Sequence, residues 1–519
     1  MPWTWTALII LLLALRLPSL VQPAGGDQGL YGYAGQRILA GDVMYRDVWD
    51  QKPPAIGFLY AALWRIWPGE MIVPAADLLA AGVVAWLLIV LGRRRYSMNV
   101  GAGAAAVFLL FGDPYLQRLS GLYVRSQCEP FIALAITASL VLLAHPARRR
   151  AHLVGAGAAL ALAFCLKYNA AAYGLVVALA IWAWNGGEAR EWRRSVADAG
   201  WVGLGFALIV SGVVVYFAAN RALLDLRLAT IDYNLRYSSE TYDGWADRLR
   251  YFVRFPVERA RVDPIWFLGG LGAALIARHA RSSRSAVVII GWLVAGALSI
   301  AINGSRSLPN YFVQANPALA LAASAGLGTL AASSRLLRLG VALLLVAGAW
   351  RVGSDTPLRG WRLASLPGLI GNLQYDLQYI GGDLDRNTYL RRFRGQKHDA
   401  FEVETLVRHV DQTAGPAEPI FVFGFSGGSV SWKSERASAS RFFWSRPVII
   451  GFAADRPNYG SNGLLADLQR SPPIMVALQK DEWRSRDFFM NTEPLRRWLE
   501  ARYVLDYETP VFSVWRPKQ

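Results

Sequence analysis

A chain of 519 residues that is 54% hydrophobic, with a mean hydropathy of +0.27, is too apolar for an ordinary soluble protein of its length. Its net charge of +17 would suggest nucleic-acid binding in a soluble chain, but the arginines concentrate in short links between apolar runs, as membrane topology demands. The two cysteines, Cys128 and Cys165, lie in apolar surroundings, so they offer neither a disulfide framework nor a redox motif.

The first apolar run, 3–21, reads as a retained helix rather than a signal peptide. No basic segment precedes it, no small-x-small cleavage pattern ends it, and a polar cluster follows at once. Further runs able to cross roughly 30 Å of hydrocarbon at about 1.5 Å per residue lie at 71–91, 99–112, 129–145, 152–167, 170–185, 198–219, 264–278, 286–303, 311–331 and 338–350. The expected fold class is a polytopic α-helical membrane protein with about eleven transmembrane helices. Arg93, Arg94 and Arg95 follow the second run and Arg148, Arg149 and Arg150 the fourth. Arg190, Arg193 and Arg194 follow the sixth, Arg278, Arg281 and Arg284 the eighth, and Arg335 and Arg338 the tenth. Only Glu188 and Glu191 offset them. Every even-numbered run therefore precedes a basic link, and the positive-inside rule makes these links and the N-terminus cytoplasmic. The loops at 22–70, 113–128, 220–263 and 304–310, with everything after about residue 351, then face outward.

Residues 1–350 thus read as the transmembrane domain, with 22–70 as its first external loop. Residues 351–398 read as a linker with turn signals and aromatic content, suited to the membrane surface. Residues 399–519 read as a small external α/β domain: a helix at 401–413, buried strands at 419–425, 446–452 and 473–478, a helix at 492–502 and a last strand at 511–515. The glycines at 424–428 lack both the lysine of a P-loop and the full dinucleotide spacing, so they do not indicate a nucleotide site.

The organising segment is the first loop, GDQGLYGYAGQRILAGDVMYRDVWDQKPP at 26–54, whose ionisable groups lie beside lipid and cost free energy unless paired or used. Short helices are expected at 31–39 and 55–67. Asp27 is either a general base or a helix N-cap. Lys52, stiffened by Pro53 and Pro54, suits a lipid phosphate or simply snorkels to the interface. Asp47 and Asp50 sit in YRDVWD at 45–50, where Arg46 can pair with either and salt bridges scaffold the loop. A divalent metal stays open but is not indicated, because the loop holds no histidine and no D-x-D triplet stands out. Glu129 and Lys167 lie at span ends, where charged groups either line an external cavity or anchor helices. Asp232, Tyr233, Asn234 and Tyr237 supply aromatic and amide groups that suit a sugar or plain loop packing.

The motif G-D-Q-G-L-Y at 26–31, followed by Gly35 and G-D-V-M-Y-R-D-V-W-D-Q-K-P-P at 41–54, resembles the first external loop of the GT-C membrane glycosyltransferases. The nearest branch is glycosyltransferase family 39, with the protein O-mannosyltransferases and the aminoarabinose transferase acting on lipid A. S-Q-C-E-P-F at 126–131, L-A-L-A-F-C-L-K-Y-N-A at 160–170 and S-L-P-N-Y-F-V-Q-A-N-P-A-L-A at 307–320 continue the resemblance, as do I-F-V-F-G-F at 420–425 and A-S-R-F-F at 439–443. The resemblance implies transfer of a sugar from a polyprenyl-phosphate donor to a hydroxyl, with inversion, on the outer face of a bacterial inner membrane. It makes Asp27 the candidate base. Lys52, with Lys167 and Arg125, becomes a candidate for the donor phosphate, while Tyr31, Asp47, Asp50, Glu129, Asn234, Tyr237, Asn310 and Tyr311 become substrate-binding or supporting residues. No C-terminal repeat of the kind that binds protein acceptors is visible, so the expected acceptor is a glycan or lipid. Besides membrane lipids, no cofactor and no nucleic-acid partner is expected. Other readings are a transporter or flippase of lipid-linked saccharides, which predicts broken spans with charges at mid-depth, and a membrane-anchored binding protein working through residues 399–519.

Overall fold

The computed structural model describes residues 2–186, 191–278, 283–303, 308–353, 364–395, 397–485 and 493–519. Glu188, Arg190, Arg281, residues 304–307 of the fourth expected external loop and residues 354–363 of the expected linker lie outside them.

The N-terminal helices are α1 (Pro2–Arg16), α2 (Gly26–Leu39), α3 (Ala55–Ile66), α4 (Ile72–Arg95), α5 (Met98–Phe111), α6 (Cys128–Leu143), α7 (Arg150–Leu166), α8 (Gly174–Trp184) and α9 (Trp192–Ala219). The apolar runs form helices where expected, except that 311–331 is split between two helices with a break at 314–315, and local chemistry sets the ends. Ser97 caps α5 by accepting the Val100 N–H at 3.2 Å. The stretch 220–263, expected as a loop, is largely helical, with α10 (Leu223–Arg227), a π turn (Leu228–Asp232), α11 (Tyr233–Ser239) and α12 (Trp245–Ala260). There follow α13 (Pro264–Ala277), capped by Asp263 with Pro264 at its first position, α14 (Arg284–Asn303), α15 (Pro309–Val313), α16 (Asn316–Gly328), α17 (Arg335–Gly353), α18 (Leu366–Gly381) and α19 (Arg386–Arg391). Among the described residues, five helices are long and apolar enough to cross a membrane: Trp3–Val21, α4, α9, α14 and α17. The pair α12 and α13, bent by 109°, would make a sixth. The expected runs at 99–112, 129–145, 152–167 and 170–185 are apolar helices of 10–17 residues.

The C-terminal elements are β1 (Arg394–Gly395), β2 (His398–Asp399), α20 (Ala400–Thr413), β3 (Ile420–Phe423), α21 (Gly427–Ser434), α22 (Arg446–Ile449), α23 (Gly460–Arg470), β4 (Met475–Gln479), α24 (Lys480–Trp483), α25 (Glu493–Arg502), β5 (Tyr503–Glu508) and β6 (Phe512–Pro517). One correction concerns 446–452, expected as a strand. Its β-branched run opens with Pro447 in the first turn of α22, where a fixed φ and a missing N–H favour a helix start.

The chain forms two compact units. The first comprises Met1–Val21, Pro74–Val215 and Arg236–Ile380. At one end of its helix bundle, the C-terminus of α1, the N-terminus of α4, the loop after α5 and the loop before α6 meet in a buried ionic cluster. Arg16 bonds Asp77 and lies 3.4 Å from Asp113, while Arg125 reaches Asp77 at 2.9 Å. Helix α18, inside the expected linker, is tied to the same end. Tyr115 donates to Asp376 at 2.6 Å, and the Asn372 amide donates to the carbonyls of Tyr115 and Gln117 at 2.7 and 2.8 Å. The opposite end carries the basic links. Arg94 donates to the Val141 carbonyl at 2.7 Å, Tyr96 to that of Ser285 at 2.9 Å, and Arg148 pairs with Asp198 at 3.7 Å. Alternating helices therefore sort their basic links onto one end, as the charge pattern requires.

The second unit comprises Gln22–Val73, Tyr216–Leu235 and Gly381–Gln519. Its sheet has the order β3-β4-β6-β5, with β3 and β4 parallel and the remaining pairs antiparallel. Helix α20 covers it, placing Val403, Leu406 and Val410 against Ile420, Val422, Ala477 and Val514. The first loop belongs to this unit.

Candidate functional site

In the second unit, Gly25 occupies the N-cap of α2 in an extended conformation, which leaves Asp27 half-buried in the first turn rather than at the cap. A carboxylate there is favoured by the helix dipole. Along α2 the glycines Gly26, Gly29 and Gly32 present one face at helical spacing to the α21 region. A Cβ at Gly29 would collide with Ser429 Oγ and approach its Cα to 2.7 Å, and one at Gly32 would enter the Trp432 ring. One at Gly26 would come within 2.8 Å of Phe425 Cδ1. From the other side, a Cβ at Gly428 would lie 2.9 Å from Leu30 Cα. Backbone thus meets backbone, and the position of Asp27 is set by residues about four hundred positions away in sequence.

The turn bearing Lys52 is held at two carbonyls. The Tyr45 hydroxyl donates to the Lys52 carbonyl at 2.7 Å, and the Asn234 amide to that of Gln51 at 2.7 Å. Asn234 also donates to the Thr230 carbonyl at 2.9 Å, so its NH2 group serves the loop backbone. Trp49 anchors the same loop: its ring lies 5.2 Å from that of Tyr233 and about 6 Å from those of Phe442, Trp444 and Phe452, and its backbone N–H donates to the Arg441 carbonyl at 3.0 Å. Behind it Asp50 is 1% exposed. Its Oδ1 accepts the Gln51 N–H at 2.6 Å, and the Lys52 backbone N–H also favours its charged form. Burial pushes the Asp50 carboxyl up to about 6. The Lys52 charge opposes this rise and the Asp27 carboxylate adds to it, so the three groups sense one another.

Asp47 has a different environment. Although burial raises it, hydrogen bonds from Arg46 and the Val43 N–H hold its carboxyl below the usual range. It is a loop brace, as salt-bridge scaffolding requires. Tyr31 is buried with its ring edge-on to Tyr60 at 5.5 Å.

The first unit gathers three other expected residues. Lys167 Nζ lies 2.5 Å from Glu129 Oε1 and 3.9 Å from the centre of the Tyr311 ring, joining α6, the end of α7 and α15. Asn310 is buried beside Tyr311 in the chain. Arg125 is also buried, with its guanidinium on Asp77 and 5.3 Å from the Tyr115 ring centre. Tyr237 is half-buried on α11.

No protein-family model matches the chain, and no curated protein matches it. Solved structures do. ArnT from Cupriavidus metallidurans bound to undecaprenyl phosphate aligns with a TM-score of 0.61 at 14% identity, covering 99% of this chain and 97% of that one. The apo state of the same protein gives 0.62 at 16%, covering 98% and 96%. This chain has the ArnT fold. That is the fold that the resemblance of the first loop implies. The archaeal oligosaccharyltransferase AglB from Archaeoglobus fulgidus aligns at a TM-score of 0.46 and 14% identity, over 100% of this chain and 74% of that one.

Sequence reasoning missed three charged groups. Asp77 stands alone in the apolar run 71–91, and Arg16 within 3–21; a lone opposite charge in each of two spans is itself a signal for a buried pair. Lys433, 2.5 Å from Glu70 and 2.6 Å from Glu404, ties the first loop to α20 and had no such signal. Among the described residues no group of three His, Cys, Asp or Glu could hold a metal ion.

Proposed function

We propose that the chain is a glycosyltransferase that moves a sugar from a polyprenyl-phosphate-linked donor to a hydroxyl on a glycan or lipid, at the outer face of the cytoplasmic membrane. The observation that carries this is the ArnT fold over nearly the whole chain, with Asp27, Asp50 and Lys52 converging in the loop where such a site is expected. That relative is bound to undecaprenyl phosphate, which supports a lipid phosphate as the leaving group.

In the proposed step the acceptor oxygen attacks the anomeric carbon from the face opposite the phosphate. The bond from that carbon to the phosphate oxygen breaks, the configuration inverts, and the polyprenyl phosphate leaves with the electron pair. Asp27 takes the acceptor proton. Lys52, held on its two-proline turn, stabilises the developing phosphate charge. A phosphate departs as a stable anion, so the leaving group needs no proton donor of the kind a glycosidase uses.

The test is transfer from a radiolabelled pool of polyprenyl-phosphate sugars to a membrane extract by purified wild type and Asp27→Asn. Transfer by wild type with a loss of about 100-fold in the variant is expected for a missing general base. Equal rates would move the base elsewhere, and no transfer by wild type from intact donors would overturn the reading.

A further inference from the structure

At the end of the first unit that carries the basic links, the helices around α4 and α6 leave a groove of about 660 Å³. It lies at the opposite end of α6 from Glu129, roughly 20 Å away along a helix rising about 1.5 Å per residue. Its walls are aliphatic side chains of α4 and α6 together with Trp5 and Trp86, and its end is basic, formed by Arg93, Arg94, His145 and His152. Among the described residues no carboxylate lines it.

The basic end is built rather than a loose surface patch. Arg94 is fixed by its 2.7 Å bond to the Val141 carbonyl in the last turn of α6. The His145 and His152 rings stack at 3.9 Å with 20° between their planes. Each histidine accepts a backbone N–H at Nδ1, from Ala147 at 3.2 Å and from Arg149 at 3.1 Å. That arrangement assigns the proton of each neutral ring to Nε2 and leaves it as a donor. Two guanidinium groups and two imidazole N–H groups thus sit at the mouth of an apolar groove walled by helices that the chain would place in a bilayer.

An apolar groove between membrane helices takes an acyl chain, and a basic pocket at its mouth takes an anionic headgroup. A zwitterionic lipid would also bring an ammonium, which here meets arginines and no acid. We propose that this groove binds an anionic glycerophospholipid, with its phosphate on Arg93, Arg94 and the paired histidines and an acyl chain between α4 and α6. The site is independent of the transfer reaction.

The test is native mass spectrometry of the full chain released from nanodiscs of equal parts dioleoyl phosphatidylglycerol and dioleoyl phosphatidylcholine. Wild type is expected to retain phosphatidylglycerol with a preference of about tenfold or more, as two arginines near a lipid phosphate imply. The double variant Arg93→Gln, Arg94→Gln should reduce that preference to about twofold or less by the same reasoning. Trp86→Ala should weaken retention of both lipids, because it removes wall rather than charge. Equal retention of the two lipids by wild type, or an undiminished preference in a double variant that unfolds at the wild-type temperature, overturns the proposal. If the double variant does not fold, Arg93→Gln alone decides, since that side chain is exposed and an unchanged preference would then count against the site. Undecaprenyl phosphate displacing phosphatidylglycerol one for one at stoichiometric amounts would overturn the assigned lipid class.

Discussion

Asp50 and Asp47 lie three positions apart in the same loop, and their environments push them in opposite directions. Asp47 is braced by Arg46 and sits low, whereas Asp50, next to Trp49 in the chain, is buried and rises from the usual 3.8 to about 6. The sequence shows two similar carboxylates beside one arginine. What separates them is the aromatic packing of Phe442, Trp444 and Phe452, contributed from residues almost four hundred positions later, which no local pattern announces. A carboxyl whose folded value lies above its unfolded one binds more protons when folded. Its effect on stability is therefore absent below about pH 4 and becomes a growing cost as pH rises to about 6. A shift of this size corresponds to a penalty on the order of 3 kcal/mol above pH 6. Asp50→Asn removes the titration, so the variant should gain stability relative to wild type by a similar amount between pH 4 and pH 7.5, read from thermal unfolding in detergent at the two pH values. A difference that stays constant with pH would show that Asp50 is not buried as described. Legibility at this scale was partial: Asp27 and Lys52 stand out by motif, while Asp50, Tyr45 and Asn234 acquire their roles only from the fold.

Helix α2 is an unlikely helix by composition. Gly26, Gly29, Gly32 and Gly35 each disfavour it by about 1 kcal/mol relative to alanine, which is why only its second half, 31–39, is readable as helical. The spacing of three that weakens the isolated helix also makes a continuous small-residue face, and α21 with its own Gly427 and Gly428 fits against it. The stripe was present in the sequence, but its partner was not deducible, because 427–434 follows a buried strand and looks like the end of one. The packing makes a clear prediction about glycine. Gly29→Val must displace α21 from α2, and overpacking of this kind costs about 1–3 kcal/mol. It should lower the unfolding temperature and, by moving Asp27 two residues away, remove most transfer activity. Gly200→Ala in α9 has nothing within 4 Å of the new methyl group and should be neutral or stabilising by up to about 1 kcal/mol. Equal effects from the two substitutions in an unfolding and transfer assay would rule out close α2–α21 packing as the device that positions Asp27.

Across the whole molecule, the pattern of charges was more informative than the count of spans. Apolar periodicity located nearly every helix of the first unit, yet among the described residues only five helices, or six with the bent α12–α13 pair, are long and apolar enough to cross a bilayer unaided. Length alone therefore cannot assign the shorter ones, such as α5 and α6, to a crossing. The alternation of basic links gives a firmer constraint. Arg94, Tyr96 and Arg148 join the ends of α4, α6, α9 and α14 at one end of the bundle, while Arg16, Asp77, Asp113 and Arg125 neutralise one another at the other. Arginine-rich links gathered at one end and a cluster that neutralises itself at the other match the excess of basic residues that the positive-inside rule expects of a cytoplasmic face. The orientation is testable because Cys128 and Cys165 are 0% and 4% exposed and should stay silent towards an impermeant maleimide. Ala147→Cys, exposed in the link after α6, should react in bacterial spheroplasts only after permeabilisation, whereas Asp455→Cys, exposed in the second unit, should react in intact ones. The reverse pattern would invert the topology and place Asp27 and Lys52, within the first loop, on the cytoplasmic side. Labelling of both residues without permeabilisation would instead require an even number of crossings between them, and so remove at least one helix, the short α7, α8, α13 and α16 being the first candidates.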